Sequence, residues 1–364
     1  MSGTSVDSVD AALVKFKKNK PTIVSTYSLP IAKELRLSVH KLAISGKDEI
    51  AQLRYLDKEF ALLSCNAIQQ LCQQANCPPT SITAVGSHGQ TIRHYPNNKH
   101  NVGYSLQVGD PNIIAEKTGI TTVADFRRRD IAAGGQGAPL TPAFHQNVFH
   151  STLCDRIILN TGGIANITWL PKTGNVTGYD TGPANGLMDS WCQQHQQSPF
   201  DNGGEWAKSG KVNTQLLTHL LQHPYFALSA PKSTGREDFN IPWLDQQLVS
   251  FPQTLQAEDV QATLLALTVE SISQQIEKRD SHSSAEIYVC GGGAHNIALM
   301  QSLAQRLQPR RILSTESLGI HPDWVEATAF AWLAKQNMEK AAGNLPSVTG
   351  ADREVVLGGI YFGG

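Results

Sequence analysis

The first ten residues, MSGTSVDSVD, set one glycine, four hydroxyl side chains (Ser2, Thr4, Ser5, Ser8) and two carboxylates (Asp7, Asp10) close together. Glycine and hydroxyl residues at a tight turn can direct several N–H and O–H donors at one point, which is what a polyphosphate requires. Gly3, Thr4 and Ser5 suit that role. Asp7 or Asp10 could then hold Mg2+, directly or through water, because that ion takes oxygen ligands and keeps several waters. Taken alone, the stretch is equally a polar turn with local hydroxyl-to-backbone bonds. Two further glycine-rich turns give it company: NTGGIANIT, with Thr161, Gly162 and Gly163, and VCGGGAHN, with Gly291, Gly292, Gly293 and Asn296. Three such turns, the later two each after an apolar strand and all spread along the chain, suit one nucleotide gripped between two domains. A single dinucleotide fold would need GxGxxG opening a helix near the first strand, with an acidic residue ~20 positions on, and GGGAHN lacks that partner. No GxxxxGK[ST] is present either.

GYDTGPANGLMDSW supplies a group for proton transfer. Asp180 is expected on a turn shaped by Gly182, Pro183 and Gly186, ahead of a helix beginning near Asn185. A carboxylate held at a domain boundary can act as a general base, and the competing reading is an Asx-turn or helix cap. Asp189, within the helix, reads as structural. DFRRRDIAAGGQG places Asp125, Arg127, Arg128, Arg129 and Asp130 before a flexible loop. If Asp125 ends a strand, Arg127 and Arg129 project to one side, where they can grip a carboxylate bidentately; surface ion pairs are the alternative. In SHGQT, His88 either touches a ligand or caps the strand end. His219 and His223 are spaced i, i+4, but no HExxH acid or third ligand accompanies them, so they read as a solvated helix face.

The elements that position these groups alternate short apolar strands with amphipathic helices, an α/β pattern. AALVKF and TIVSTYSLP form an antiparallel pair, and a long helix runs from Asp48 to the Pro78-Pro79 stop. ITAVGSHGQT is a buried strand ending in a polar loop, a helix begins near Pro111, and ITTVADF is a strand followed by a loop. RIILNTGGIANITWL repeats the strand, turn, strand layout of the opening segment, suggesting a duplicated fold. Helices EDVQATLLALTVESISQQIEKR and HPDWVEATAFAWLAKQ flank a strand, triple-glycine turn and helix. The 364 residues favour two domains, placed at 1–127 and 128–345, with 346–364 returning to the first. Thirty basic residues against thirty-one acidic ones give a formal charge of −1, so no global field holds the chain on nucleic acid or an anionic membrane. The chain lacks an apolar run of bilayer length and a signal-peptide start, which points to a cytoplasmic location. The six cysteines follow no CxxC or secreted-scaffold spacing and read as reduced thiols.

In this order the motifs resemble the anhydro-N-acetylmuramic acid kinases, of the actin, sugar kinase and Hsp70 superfamily, from MSGTSVDSVD through SHGQT, ADFRRRDIAAGGQGAPL, NTGGIANIT, GYDTGPANGLMDSW and VCGGGAHN to SVTGADREVVLGGIYFGG. The resemblance covers essentially the whole chain. It implies two related α/β lobes of mixed sheet with flanking helices and a nucleotide cleft between them. It also implies ATP and Mg2+ as cofactors, 1,6-anhydro-N-acetylmuramic acid as substrate, and a homodimer as an option. Gly3, Thr4, Ser5 and Ser8 then belong near the ATP phosphates with Thr161, Gly162 and Gly163. Asp7 and Asp10 lie near Mg2+, while Gly291, Gly292, Gly293 and Asn296 belong near the nucleoside. Asp180 matches the family's catalytic aspartate, and Arg127, Glu326 and His88 carry over as substrate-site residues. The implied products are N-acetylmuramic acid 6-phosphate and ADP, in cell-wall recycling.

Two departures accompany the resemblance. The family reads GTS-x-D-G-x-D where this chain has Ser8, whose side chain resists positive φ and would impose strain of order 1–2 kcal/mol if the turn needed it. Family members also carry a short strand leading into MSGTS, which here would precede Met1; a start codon placed too late or a hairpin lacking one arm would account for it. Together these motivate a second expectation, a catalytically impaired nucleotide or muropeptide sensor of the same fold. A chaperone-like ATPase stands third, since no peptide-binding domain follows the second lobe.

Overall fold

In the computed structural model the described residues are 1–3, 5–95, 103–230, 232–235 and 237–364. Strand Ser8–Lys17 pairs antiparallel with Lys20–Pro30, with an irregularity between Leu13 and Val14. Val9 belongs to a cluster with Ile31 and with Val39, Leu42, Leu56 and Phe60, the last four supplied by helices Lys33–Ala43 and Glu49–Gln74. The first of these helices carries little signature in the sequence: its spacing of Leu35, Val39 and Leu42 is short and falls directly after a proline-ended strand. Strand Thr122–Ala124 runs parallel to Val85–Ser87 and antiparallel to Gly359–Tyr361. Gly86 lets helix Val325–Met338 approach so closely that any Cβ would collide with the Phe330 carbonyl.

The chain divides into two compact units, Met1–Val148 with Trp324–Gly364, and Phe149–Asp323. These bounds differ from the change placed at residues 127 and 128 because helix Thr141–Phe149 adds Phe144 to the first unit, where its ring meets Trp332 at 6.1 Å. Asp130, fully buried, ties that unit's late segments together. Its carboxylate accepts from Gly137 N, Asn344 Nδ2 and Thr349 Oγ1, each at 2.8 Å.

In the second unit a five-stranded sheet runs in the order Ile312–Ser314, Glu286–Cys290, Arg156–Thr161, Ile164–Leu170, Thr177–Pro183. The first three strands are parallel and the last two antiparallel, so the hairpin of NTGGIANIT sits in mid-sheet. Helix Ala257–Arg279 is apolar or small on nearly every face and fills the core under this sheet with Leu264, Leu267, Ile272 and Ile276. Among the described residues, no helix is long and apolar enough to cross a membrane.

Removing the Asp130 carboxylate strands three buried donors. Asp130→Ala is expected to lower stability by about 3 kcal/mol, read by chemical denaturation. A change below about 0.5 kcal/mol would show that those donors find other partners.

Candidate active site

Asp180 lies inside strand Thr177–Pro183, opposite Asn166, and not on a turn or a helix cap. The glycines and proline that suggested a turn serve the strand's end instead. Gly182, at φ +151, lets Phe226 and Ser271 pack where a side chain would stand. Asp180 is gripped by a segment that the sequence gave no reason to single out, residues 232–234. Its N–H donates to the Lys232 carbonyl at 3.1 Å, and its Oδ2 accepts from Thr234 N and Ser233 Oγ, both at 3.0 Å. Tyr225 OH donates to the Asp180 carbonyl at 2.7 Å. Oδ1 accepts no hydrogen bond among the described residues. Burial pushes the carboxyl up to about 6, against the pull of Thr234 and Ser233 and with the Glu237 charge adding to the rise. The result is a carboxylate poised near neutral pH with one oxygen fixed and the other open, the geometry of a general base. Beside it, Lys232 lies over the Tyr225 ring at 4.4 Å, and burial lowers its amine to about 8.

The two glycine turns of this unit are joined to each other. Thr161 Oγ1 is buried and donates to the Cys290 carbonyl at 3.0 Å, so it links the turns. Asn185 Nδ2 donates to the Thr161 carbonyl at 2.8 Å, while Asn185 N and Gly186 N bond Gly162 O and Gly163 O. The N–H groups of Gly162 and Gly163 donate to no described residue and remain open to an anion. Gly291 adopts φ +80, a region that favours glycine, and its N–H bonds Pro322 O at 3.1 Å. A Cβ on Gly293 would strike the Thr161 side chain. Asn296 caps helix Ile297–Arg306, its Oδ1 accepting from Leu299 N at 3.0 Å, which leaves its amide nitrogen for other partners.

In the first unit, Gly3 O accepts from Val6 N at 3.1 Å to close the opening turn; Thr4 lies outside the described residues, and Ser5 is exposed. Positive φ in this stretch falls on Val6, at 57°, and not on Ser8, which begins the strand. The expected strain at Ser8 therefore does not arise. Its hydroxyl instead donates to Asp10 Oδ1 at 2.8 Å, alongside Ser28 Oγ at 2.6 Å. Met1 exchanges both backbone bonds with Asp10, N to O at 2.9 Å and O from N at 2.8 Å. Asp7 is exposed and paired with Arg36 at 2.8 Å. Each carboxylate thus has one oxygen engaged and Oδ2 open among the described residues. Open carboxylate oxygens are the kind of ligand that Mg2+ takes, with phosphate oxygens and waters completing its shell.

Residues 126–132 form a helix, not the loop expected after Asp125, so the alternation of Arg127, Arg128 and Arg129 across a strand does not apply. Arg128 pairs with Asp125 at 2.8 Å and is exposed, as is Arg129. Arg127 turns inward toward His88. Burial lowers its pKa to about 10, against the charges of Glu326 and Asp130. Glu326, in the first turn of helix Val325–Met338, is raised by burial, with Arg127 opposing and Asp10 adding to the rise. Arg127 and His88 thus meet within this unit, and the charges of Glu326 and Asp10 are felt there without a direct ion pair to Arg127 among the described residues. His219 and His223 stay apart in role: His223 caps helix Pro224–Ala227 through Nδ1, and no acidic, His or Cys group of three that could hold a metal occurs among the described residues.

The family described as anhydro-N-acetylmuramic acid kinase matches residues 1–363. The chain belongs to that family. A protein named anhydro-N-acetylmuramic acid kinase from Shewanella pealeana is 51% identical over 99% of this chain and 97% of its own length. The one so named from Saccharophagus degradans is also 51% identical, with the same coverage. Among solved structures, the activator of the 2-hydroxyisocaproyl-CoA dehydratase from Clostridium difficile with bound ADPNP aligns over 92% of this chain and 94% of its own. Its TM-score is 0.41 at 11% identity, and nothing about function follows from it.

The carboxyl of Asp180 must be ionised to take a proton, so activity should rise with pH through about 6. The Ser233 hydroxyl bond favours the charged form. Ser233→Ala should therefore move the acid limb of kcat/KM upward, by roughly one pH unit. A limb that stays in place, or moves down, would show that Ser233 does not hold the ionised carboxylate.

Proposed function

We propose that this protein uses ATP to convert 1,6-anhydro-N-acetylmuramic acid into N-acetylmuramic acid 6-phosphate and ADP. The observation that carries the reading is Asp180: a carboxylate that the described residues bind through Oδ2, leaving Oδ1 open among them, with a pKa raised to about 6. Membership of the kinase family supplies the substrate and the phosphoryl donor.

In this reading Oδ1 removes a proton from a water as the water attacks C1. The C1–O6 bond of the anhydro bridge breaks, and O6 attacks the γ-phosphorus while the bond to the β-phosphate oxygen breaks and ADP departs. The proton on Asp180 is later lost to solvent. An inverting glycosidase needs a second carboxyl group, to protonate the departing oxygen, whereas here the phosphoryl group takes up that charge, so one carboxylate suffices. The pKa of about 6 fits the base's task, because a carboxylate of ordinary acidity would accept a proton from water less readily.

Arg127 is assigned to the lactyl carboxylate, the only anionic group of the sugar, and Glu326 to a sugar hydroxyl. The free N–H groups of Gly162 and Gly163 are assigned to phosphate oxygens, with Gly3 and Ser5 of the opening turn, and Gly291 to Gly293 to the nucleoside. Asp7 and Asp10 are assigned to Mg2+, which when bound supplies charge neutralisation at the phosphates.

Incubation with Mg·ATP and the anhydro sugar should yield ADP and the 6-phosphosugar in equal amounts. Asp180→Asn keeps the shape of the side chain, loses the basic oxygen, and should reduce kcat by about 10³-fold or more. Wild-type turnover in that variant would remove Asp180 as the base.

A further inference from the structure

His88 is buried in the first unit, and both of its ring nitrogens are engaged by the protein. Nδ1 lies 3.0 Å from the carbonyl oxygen of Gly89. A carbonyl only accepts, so Nδ1 carries the proton and Nε2 presents its lone pair. Arg127 meets that lone pair twice, from Nε at 3.2 Å and from Nη2 at 2.9 Å. Its Nη1 donates to the Gly137 carbonyl at 2.9 Å. A guanidinium has five N–H groups, so about two are left over once these three are spent.

We infer that His88 is a positioning residue for the reaction: a neutral acceptor that fixes the fork of Arg127 for a substrate carboxylate and touches no substrate itself. The inference rests on the proposed function, which supplies a sugar bearing one carboxylate. It replaces the expectation that His88 binds substrate directly.

Three features of the surroundings hold the ring in this role. Its face packs on Phe330, with centroids 4.5 Å apart. The carbonyl that fixes its tautomer belongs to Gly89, which sits at φ +70, where the Val108 carbonyl would collide with any Cβ. Burial, then the charges of Arg127 and of the Met1 amino group, hold His88 well below its ordinary pKa against the opposing backbone bonds to Gly89 and Ser2, so a second cation does not form beside the guanidinium. A guanidinium already held in place loses less side-chain freedom when it binds an anion bidentately. The lactyl carboxylate keeps its charge throughout the reaction, so the benefit is equal in ground and transition states. Loss of His88 should therefore appear in KM, with kcat nearly unchanged.

The experiment compares two substrates, the anhydro sugar and its lactyl amide, which lacks the anionic group. His88→Leu should raise KM for the natural substrate about 10-fold or more while kcat stays within about 3-fold. His88→Gln, which retains an acceptor oxygen, should restore KM to within about 3-fold of wild type. The amide should show no such difference between wild type and His88→Leu, because Arg127 then has no carboxylate to bind. Equal losses on both substrates, an unchanged KM, or a fall confined to kcat would each overturn the inference. Nitrogen-15 NMR of histidine in the unmutated protein gives an independent reading. A neutral ring protonated at Nδ1 is expected through pH 5–8, and an Nε2–H tautomer or an imidazolium in that range would contradict it. Absence of any turnover of the anhydro sugar by the wild-type enzyme would instead count against the proposed function.

Discussion

The constraint on which the second unit turns is a carboxylate placed in a strand and partly withdrawn from water, with hydrogen bonds from the described residues reaching one of its oxygens. Desolvation raises the proton affinity of Asp180, and the two donors from residues 233 and 234 keep that rise to about 6. The strand itself is fixed by the close approach of Phe226 and Ser271 at Gly182 and by the Tyr225 hydroxyl on the Asp180 carbonyl. The apolar helix Ala257–Arg279 thus helps to fix the strand that carries the carboxylate, through Ser271 at Gly182.

The first unit solves a different electrostatic problem. It keeps a guanidinium half-buried without pairing it to a carboxylate among the described residues, which suits the anion binding proposed for it. A direct ion pair would consume the fork. A neutral imidazole and a backbone carbonyl hold it instead, while Glu326 and Asp130 compensate the charge at longer range. Asp130 serves the same end through the backbone: it fixes the loop whose Gly137 carbonyl receives Nη1 of Arg127.

Much of this was legible in the residues. The opening hairpin, the mid-sheet hairpin at NTGGIANIT, the helix after Asp48 and the strand leading into GGGAHN all follow from apolar periodicity broken by glycine or proline. What failed was local reading where tertiary packing sets the conformation. Gly182 and Pro183 look like a turn, yet the glycine is needed for packing against Ser271, so Asp180 stays extended. The arginine run after Asp125 reads as strand end and loop because glycines follow it, but Asp125 at φ 61 starts a short helix. Ser8 looks misplaced only if the turn bends there, and it bends at Val6. The grip of Ser233 and Thr234 on Asp180 had no legible signal, since the two segments stand more than fifty residues apart and share no spacing rule. The stretch GPANG did hold a clue that went unused: an asparagine directly after proline and alanine, whose amide joins the helix start to Thr161.

The claim at the centre of this account is that a water activated at residue 180 attacks carbon, while phosphorus is attacked by the sugar's own O6. Running the reaction in 18O-water and locating the label by mass spectrometry separates the two centres directly. The account predicts one heavy oxygen in the C1 hydroxyl of the product and none in the transferred phosphoryl group. Label in the phosphoryl group, or an unlabelled C1 hydroxyl, would contradict it.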